Sequence, residues 1–280
     1  MGNDDDQENG RRIWGRVAPG YAAKHRTGEA NFAAVSDWLI DRADPEPGQV
    51  VLDLAAGAGG LGHRVANLVG PDGRVISTDF ASEMVEIAQR LGAEQGLDNV
   101  EYRTLDAEQM ELDTASIDAI LCRSALMVMP DPGAALSEAR RVLRPGGSLA
   151  FSTFTTPEAN PWVALQGRTF LRRGLISPPE PGAPGMFSMG DPDRVRELVT
   201  GAGFDDPEIE AVKFDFRFDD ADHIWSTIVD INALLGPIVK AMPPGERAEI
   251  RTAVIEGFAD FRANDGSYPV PAEAQAVLAR

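Results

Sequence analysis

Residues 51–60 read Val-Leu-Asp-Leu-Ala-Ala-Gly-Ala-Gly-Gly, and this stretch decides the fold. An apolar run that includes Asp53 gives way to glycines and then to a helical pattern, which predicts a strand, a tight turn and a helix. Gly57 and Gly59 lack a Cβ, so the turn can be sharp and a ligand can approach the backbone closely. The first turn of the following helix offers backbone N–H groups to an anionic group. The stretch therefore predicts a nucleotide-like ligand at this turn.

Composition and charge limit the classes of partner. The chain has 280 residues, of which 43% are hydrophobic and 25% are charged, and its formal net charge is −18. We expect a soluble globular protein whose acidic surface repels nucleic acid and anionic lipid. No apolar run approaches the roughly 20 residues that cross a bilayer, so no membrane insertion is predicted. A single cysteine, Cys122, and a start without a basic and apolar leader favour a cytoplasmic location.

Strand and helix patterns alternate through residues 49–155. Strands are predicted at 49–54, 74–79, 99–104, 116–122 and 149–155, with helices in most of the intervals. Such alternation is typical of a parallel sheet built from right-handed βαβ units. We therefore predict a doubly wound cofactor-binding core over this range.

The remaining segments divide by composition and pattern. We expect a disordered acidic tail at 1–12, N-terminal capping helices at 13–48, a lid insertion rich in Pro and Gly at 156–190, a core helix and strand at 191–218, a helical lid insertion at 219–266 and a final strand at 267–280. The second insertion is predicted as two helices joined at Met242–Gly245. The final strand is expected to begin at Pro271 on a sheet edge, because proline cannot donate to a central ladder.

Three acids separate the candidate nucleotide ligands. Asp79 closes the second strand, where a carboxylate accepts hydrogen bonds from the ribose of any adenosine ligand. Asp53 stands where a nicotinamide fingerprint normally has an apolar residue, and Asp106 follows the third strand, where it can accept from the adenine amine. An NAD(P)-dependent oxidoreductase that uses Gly57, Gly59 and the next glycine of G-x-G-x-x-G, Gly62, therefore stays a remote alternative.

Four motifs in this order resemble the class I S-adenosylmethionine-dependent methyltransferases. They are Val51–Gly60, Asp79-Phe80, Leu105-Asp-Ala-Glu108 and Val142-Leu-Arg-Pro-Gly-Gly147. The segment Trp14–Tyr21 is similar, more weakly, to the ubiquinone/menaquinone-biosynthesis C-methyltransferases. The resemblance implies a Rossmann-like α/β fold with a seven-stranded, mostly parallel sheet, an antiparallel last strand and helical lids. It also implies S-adenosylmethionine as the cofactor.

The resemblance further implies contacts for each part of that cofactor. Gly57, Ala58 and Gly59 would run beside its methionine part. Asp53 would hold the turn and reach the amino group of the cofactor through water. Asp79 would bind the ribose hydroxyls, and Phe80 and Met84 would touch the adenine. Asp106 and the Ala107 N–H would meet the adenine edge. Cys122 and Arg123 would present carbonyls beside the sulfonium, and Tyr21 would cap the site. Several of these residues have structural alternatives: a plain tight turn for the glycines, a helix cap for Asp79, a turn for Asp106, and core packing for Met84, Cys122 and Tyr21.

The implied reaction is in-line displacement of the sulfonium methyl by a small-molecule acceptor, as in secondary metabolism. Aromatic and apolar residues in the two insertions favour a largely apolar acceptor, with O- or C-methylation preferred. The protein would mainly bind, orient and exclude water, with no metal; if a base is needed, His25 and His223 are the candidates. A protein of this fold that binds the cofactor without methyl transfer, such as a cyclase, is the alternative, and a homodimer stays open.

Overall fold

A computed structural model describes residues 3–180 and 182–280. Met1, Gly2 and Pro181 lie outside the described residues, and with them the first two positions of the expected tail. In chain order the helices are α1 (Asn3–Ala23), α2 (His25–Asn31), α3 (Ala33–Ala43), α4 (Gly60–Val69), α5 (Ser82–Glu94), α6 (Pro132–Val142), α7 (Pro161–Arg172), α8 (Pro192–Gly201), α9 (Ala221–Ile231), α10 (Leu235–Ala241) and α11 (Pro244–Gly257). The strands are β1 (Val50–Leu54), β2 (Arg74–Asp79), β3 (Val100–Thr104), β4 (Ile117–Arg123), β5 (Leu143–Phe154), β6 (Glu208–Phe218) and β7 (Tyr268–Ala279).

The strands form one mixed sheet in the order β3-β2-β1-β4-β5-β7-β6. Strands β1 to β5 pair in parallel, and β7 runs antiparallel to β5. The predicted α/β fold class is thereby confirmed, including the antiparallel last strand. The strand order changes direction between β1 and β4, and a doubly wound sheet binds ligands outside the carboxyl ends of its strands at such a point.

Buried apolar side chains hold the centre of the sheet rigidly. Leu52 and Leu54 of β1 are at most 2% exposed. Helix α3 packs on β4 and β5, with Leu39 fully buried, while α4 packs on β1 and β2, with Val65 fully buried. Burial of each such side chain stabilises the fold by about 1.5–3 kcal/mol. The carboxyl ends of β1, β2 and β4 are therefore carried by well-packed elements.

The chain divides into two compact units. The sheet unit comprises Ala33–Thr155, Ala183–Val212 and Ala274–Arg280, and the helical unit comprises the chain up to Phe32 with Thr156–Gly182 and Lys213–Glu273. In the helical unit the indole of Trp162 stacks on the ring of Phe216, with centroids 4.2 Å apart. Helix α1 packs against α9 so closely that a Cβ on Gly20 would lie 2.2 Å from the carbonyl oxygen of Asp230. The domain boundaries expected from the sequence remain predictions.

Two helical segments differ from expectation. Residues 3–12 belong to α1 rather than to a disordered tail, because the same helix buries Val17 and Ala18 and can propagate from that anchored part. The segment 219–266 holds three α-helices rather than two. The additional break lies at Asn232, whose side-chain oxygen accepts the N–H groups of Leu234 and Leu235 at 3.1 and 2.8 Å and so begins a new helix.

Two strands differ as well. β7 lies between β5 and β6, so it is not the edge strand that Pro271 suggested; β6 occupies the edge. The proline is tolerated because the residues of β7 that pair with β5 begin only at Ala274. The run Arg144-Pro-Gly-Gly147, whose composition is typical of a turn, lies inside β5, where it forms an irregularity at which the register against β4 shifts.

Helix length bears on the expected absence of membrane insertion. Among the described helices, none alone is long and apolar enough to cross a membrane. Helices α9 and α10 are long and apolar enough only when they are taken together, and the chain bends by 99° between them.

Candidate functional site

The turn after β1 needs glycine for two different reasons. Gly59, at φ 82°, precedes α4, and a Cβ there would lie 2.8 Å from Nε2 of His63 and 2.9 Å from the Cβ of Ala88. Gly57, at φ 56°, faces open space, since a Cβ there would meet no heavy atom within 4 Å. The left-handed backbone favours glycine at both positions. The space at Gly57 fits the expected close approach of a ligand, whereas Gly59 is required by packing.

Asp53 holds the start of α4. Its carboxylate is 1% exposed, and Oδ2 accepts the N–H of Gly62 at 2.8 Å. A Cβ on Gly62 would lie 2.5 Å from that oxygen, so the third glycine of the motif makes room for the acid. The carboxylate also satisfies one of the N–H groups that a helix leaves unpaired in its first turn. The geometry therefore gives Asp53 the turn-holding role, while its reach to a ligand stays a prediction.

Asp79 joins the turns that follow β1 and β2. Its Oδ2 accepts the N–H of Gly57 at 2.9 Å and its Oδ1 accepts the N–H of Ala81 at 3.0 Å. Burial raises the pKa of Asp79, and the hydrogen bonds from Ala81 and Gly57 partly oppose that shift. A carboxylate has about four acceptor positions, so these two bonds are compatible with further bonds from two ribose hydroxyls. The half-buried Phe80 follows, and Met84, at 2% exposure, belongs to the core of α5.

The turn after β3 places a second carboxylate. The N–H of Leu105 donates to the carbonyl of Asp79 at 2.9 Å, which ties this turn to the end of β2. Asp106 Oδ1 accepts the N–H of Glu108 at 2.9 Å, and Ala107 between them is 8% exposed. Asp106 therefore has the turn role that the sequence left open. A carboxylate that shapes a turn keeps further acceptor capacity, so the predicted bond from an adenine amine is compatible with it.

A charged pair on α6, which the sequence analysis missed, holds the loop that follows this turn. The Arg141 guanidinium donates to the carbonyls of Met110 and Leu112 at 2.8 and 2.9 Å. Glu138 accepts from Arg141 at 2.7 and 2.8 Å and from the N–H of Met110 at 2.8 Å. Arg141 beside it lowers the pKa of Glu138. The i, i+3 spacing of the two residues was the available signal, but nothing in the sequence indicated the loop as its target.

The charges of Asp53 and Asp79 act on the end of β4. Cys122 is fully buried, and burial, followed by the Asp53 charge and more weakly the Asp79 charge, raises its pKa to about 12. The thiol is thus a packed core group, as one alternative held. The side chain of Arg123 donates from Nη1 to Ser36 Oγ at 2.6 Å, and the next residue, Ser124, has φ 55°. The predicted carbonyl contacts of Cys122 and Arg123 stay predictions.

Tyr21, His25 and His223 belong to the helical unit, whereas the other predicted site residues belong to the sheet unit. His25 begins α2 and is half-buried. The Tyr21 ring lies edge-on to Trp14, with centroids 6.4 Å apart. No cluster of three or more His, Cys, Asp or Glu side chains at metal-binding distance occurs among residues 3–180 and 182–280.

His223 has a defined structural environment. The backbone N–H of His223 donates to Asp220 Oδ1 at 2.7 Å. The ring nitrogen Nδ1 accepts the backbone N–H of Asp219 at 3.1 Å, so this residue helps to cap α9. In this arrangement the neutral ring carries its proton on Nε2. Burial and then the positive charge of Lys24 lower the pKa of His223, which favours the neutral form. To accept a proton at Nε2 the ring must exchange tautomers, with Nδ1 donating to Asp219 Oδ2, 3.3 Å away.

The residues of the sheet unit fit the adenosyl cofactor that the resemblance implies. Open space adjoins Gly57, and the Asp79 carboxylate bonded to that glycine supplies acceptors for a sugar. Asp106 and Ala107 follow on a turn that is hydrogen-bonded to Asp79. Since β3, β2 and β1 are neighbours in the sheet, the three turns form one continuous edge.

Comparison with known proteins agrees with this arrangement. A family model of methyltransferase domains matches residues 45–171. The chain is 35% identical over 128 residues to the ubiquinone/menaquinone biosynthesis C-methyltransferase UbiE of Hahella chejuensis, which covers 45% of this chain and 51% of the relative. It is 29% identical over 201 residues to the nocamycin O-methyltransferase of Saccharothrix syringae, covering 69% and 71%. The chain thus spans about half the length of the UbiE relative.

Solved structures share the fold of this chain. A provisionally assigned methyltransferase of Bacillus halodurans aligns with a TM-score of 0.58 at 23% identity, covering 88% of this chain and 97% of that one. The 4+2 cyclase SpnF aligns with a TM-score of 0.55 at 21% identity, covering 88% and 79%. At such identities the likeness concerns the fold alone. The family-model match, the methyltransferase relatives and the ordered glycines and acids together support a class I S-adenosylmethionine-dependent methyltransferase.

Proposed function

We propose that this protein transfers a methyl group from S-adenosylmethionine to a small, largely apolar metabolite of secondary metabolism in the cytoplasm, on oxygen or carbon. The observation that carries the proposal is the Asp79 carboxylate, hydrogen-bonded to Gly57 beside open space. When bound, the cofactor supplies a sulfonium methyl that a nucleophile can displace in line. The residues of this chain then bind and orient, and orientation of two bound reactants contributes up to roughly 7–11 kcal/mol to lowering a barrier.

Each part of the proposed cofactor site has one task. Gly57 leaves the backbone of the turn open to the methionine part, which Ala58 and Gly59 run beside, and Asp53 keeps that turn on α4. Asp79 accepts from the ribose hydroxyls, while Asp106 and the Ala107 N–H meet the adenine edge. Phe80 lies against the adenine, Met84 supports it from the core of α5, and the carbonyls of Cys122 and Arg123 line the region of the sulfonium.

The nature of the acceptor is inferred from charge, composition and relatives. A net charge of −18 disfavours nucleic acid as the acceptor, because the protein surface and the phosphates would repel each other. The two relatives named above are an O-methyltransferase and a C-methyltransferase, which supports oxygen or carbon as the atom that receives the methyl group. The aromatic composition of the helical unit, which includes Trp162, Phe216 and Tyr21, favours an apolar acceptor. His25 and His223 are the proposed bases.

Replacement of Asp79 tests the cofactor site. Asp79→Ala removes the charged acceptor, and we expect calorimetry to give S-adenosylmethionine binding weaker by about 1–3 kcal/mol. Asp72→Ala, an exposed acid in the turn before β2, is the matched control and should bind like the wild type. Unchanged affinity in Asp79→Ala would remove this residue from the site.

The same titration has a pH signature. Ribose hydroxyls donate to an ionised carboxylate, so binding favours the charged form of Asp79, whose pKa is raised by burial. Wild-type affinity should therefore fall on acidification while the pH is still above the ordinary carboxyl value of 3.8, and Asp79→Ala should lack that step. The folding stability of the ligand-free protein depends on pH in the opposite direction. Because the pKa of the Asp79 carboxyl is raised in the folded state, the stability that this group contributes is lost as pH rises through that pKa.

Methyl transfer itself separates the proposal from a non-methylating enzyme of this fold. The protein is incubated with a metabolite extract and a cofactor whose methyl group carries an isotopic label. Labelled product together with S-adenosylhomocysteine supports transfer, and the mass of the product identifies the acceptor. Binding of the cofactor with no label transferred to any component of the extract would favour the cyclase-type alternative.

A further inference from the structure

Ser124 carries backbone strain at the point where the strand order reverses. It follows the last residue of β4 with φ 55°, in the left-handed region that non-glycine residues rarely adopt. Ala55, also at φ 55°, directly follows β1, the neighbouring strand. Strained residues of this kind concentrate at ligand sites. Ala55 and Ser124 thus follow neighbouring strands, at the carboxyl ends of β1 and β4, on the sheet edge that carries the cofactor residues.

A buried serine on β5 holds Ser124 in this conformation. The N–H of Ser124 donates both to the carbonyl oxygen and to Oγ of Ser152, each at 3.0 Å, and the two hydroxyl oxygens are 3.2 Å apart. Ser152 is fully buried, so its hydroxyl proton needs an acceptor. Ser124 Oγ is the acceptor that this hydroxyl meets among the described residues. Ser152 is therefore the donor and Ser124 the acceptor of that bond.

This assignment fixes what Ser124 can offer to a ligand. A hydroxyl carries one proton, and the proton of Ser124 is directed away from Ser152, because Ser152 donates to its oxygen. The side chain is half-buried at the carboxyl end of β4, not enclosed in the core. A hydrogen bond received by a hydroxyl strengthens the one it donates. Ser124 thus presents a held and polarised donor at the ligand edge.

The charge of that edge defines the chemistry for which such a donor is useful. Burial raises the pKa of the neighbouring Cys122 thiol, and the charges of Asp53 and, more weakly, Asp79 raise it further. Two carboxylates near this edge disfavour any anion brought close to them. A phenol or enol that must ionise before methylation meets the same repulsion. A hydroxyl that donates to its oxygen stabilises the charged form.

We propose that Ser124, positioned by Ser152, donates a hydrogen bond to the oxygen of a phenol- or enol-type acceptor and stabilises it as the oxyanion. The inference rests on the proposed methyltransferase function and adds the class of acceptor. The acceptor proton leaves to a base or to solvent, and Ser124 stays protonated. The electron pair of the oxyanion, on oxygen or on the conjugated carbon, forms the bond to the methyl carbon while the C–S bond breaks and its electron pair stays on sulfur.

A chromogenic phenol tests the hydrogen bond directly. 4-Nitrophenol is titrated with pH in the presence of the full-length protein, with and without S-adenosylhomocysteine, and the absorbance of the anion gives the affinities of both forms. We expect the wild type to prefer the anion and Ser124→Ala to bind it about tenfold or more weakly, because a bond to a charged group is lost. Ser152→Ala should lose less, about threefold. Ser137→Ala, whose hydroxyl bonds the carbonyl of Gly133 on α6, is the control and should match the wild type.

Two further measurements keep the outcomes distinct. 4-Nitroanisole, the methyl ether of the probe, has no ionisable oxygen, and its binding should not change in Ser124→Ala. If Ser124→Ala folds poorly, Ser124→Gly replaces it, since glycine adopts the left-handed backbone without strain, and this variant should also lose the anion preference. The proposal would be overturned if the wild type does not bind the 4-nitrophenol anion more tightly than the neutral phenol. It would also be overturned if Ser124→Ala loses affinity for the anion and for the ether to the same extent. Calorimetry with S-adenosylhomocysteine on the same samples reports separately whether the cofactor site, and hence the proposed function, fails.

Discussion

Gly57 and Gly59 are two residues apart and both have a left-handed backbone, yet their neighbours differ. Replacement of Gly57 by alanine costs only the strain of the left-handed backbone, which lowers the unfolding free energy by about 1–2 kcal/mol. At position 59 the same strain is joined by contacts under 3 Å with His63 and Ala88. We therefore expect urea denaturation to give a clearly larger loss of unfolding free energy for Gly59→Ala than for Gly57→Ala. Gly57→Ala should instead lose S-adenosylmethionine affinity out of proportion to its stability. Equal stability losses in the two variants would contradict the assigned division of roles.

The sequence was most informative for residues whose chemistry and spacing are local. The order of Asp53, Gly57 and Asp79 predicted an adenosine-type ligand, because strand ends and turn glycines are visible in one dimension. The role of Ser124 was not predictable. Its φ depends on a hydroxyl 28 residues away on another strand, and serine has no general preference for a left-handed backbone. The capping environment of His223 was equally invisible, since the acids around it also suit an exposed surface.

Among the elements, α6 makes the most specific contact with a site loop. Arg141→Ala removes the donors to the carbonyls of Met110 and Leu112, and we expect an unfolding free energy lower by about 1–2 kcal/mol because the pair is partly exposed. Hydrogen exchange at the Met110 amide should quicken, and cofactor affinity should fall several-fold. Arg140→Ala, the neighbouring arginine on an exposed face, is the control and should change stability by less than about 1 kcal/mol.

The pH dependence of that pair gives a second check. Arg141 lowers the pKa of Glu138, so its stabilisation is present above the ordinary glutamate value of 4.5 and is lost as pH falls through the lowered pKa. The difference between the wild type and Arg141→Ala should therefore shrink in acid. A difference that persists unchanged at low pH would mean that the charge of Glu138 does not contribute.

The sequence predicted helices and strands correctly where the hydrophobic periodicity was strong. The predicted ends of these elements were wrong where a single side chain determines them. β2 was predicted from a short run that includes Val75 and Ile76, and α6 from amphipathic spacing. The break at Asn232 depends on one carboxamide that accepts two N–H groups, and a helical pattern continues through it. The place of β7 between β5 and β6 is a property of long-range pairing, which Pro271 alone could not indicate.

At the scale of the whole molecule, the chain passes between the sheet unit and the helical unit five times, at residues 32/33, 155/156, 182/183, 212/213 and 273/274. Neither unit is one continuous segment. Composition marked some of these passages, such as the onset of Pro and Gly after residue 155, because a parallel core and a helical insertion differ in pattern. It could not show that three separate segments share one helical core, since that depends on contacts such as Trp162 with Phe216.

The whole chain should respond to its cofactor by mass action. A ligand present at 100 times its dissociation constant stabilises the native state by about 2.7 kcal/mol. For a chain of 280 residues this corresponds to a rise in melting temperature of about 4–6 °C. We expect differential scanning fluorimetry to give this rise with S-adenosylmethionine and S-adenosylhomocysteine and none with NADH, because Asp53 and the Asp106 turn suit an adenosyl ligand without a pyrophosphate. At the same ligand concentration the rise should be clearly smaller in Asp79→Ala and unchanged in Asp72→Ala. A rise with NADH alone would return the glycine turn to the oxidoreductase alternative, since the same three glycines and Asp79 would then be holding a dinucleotide.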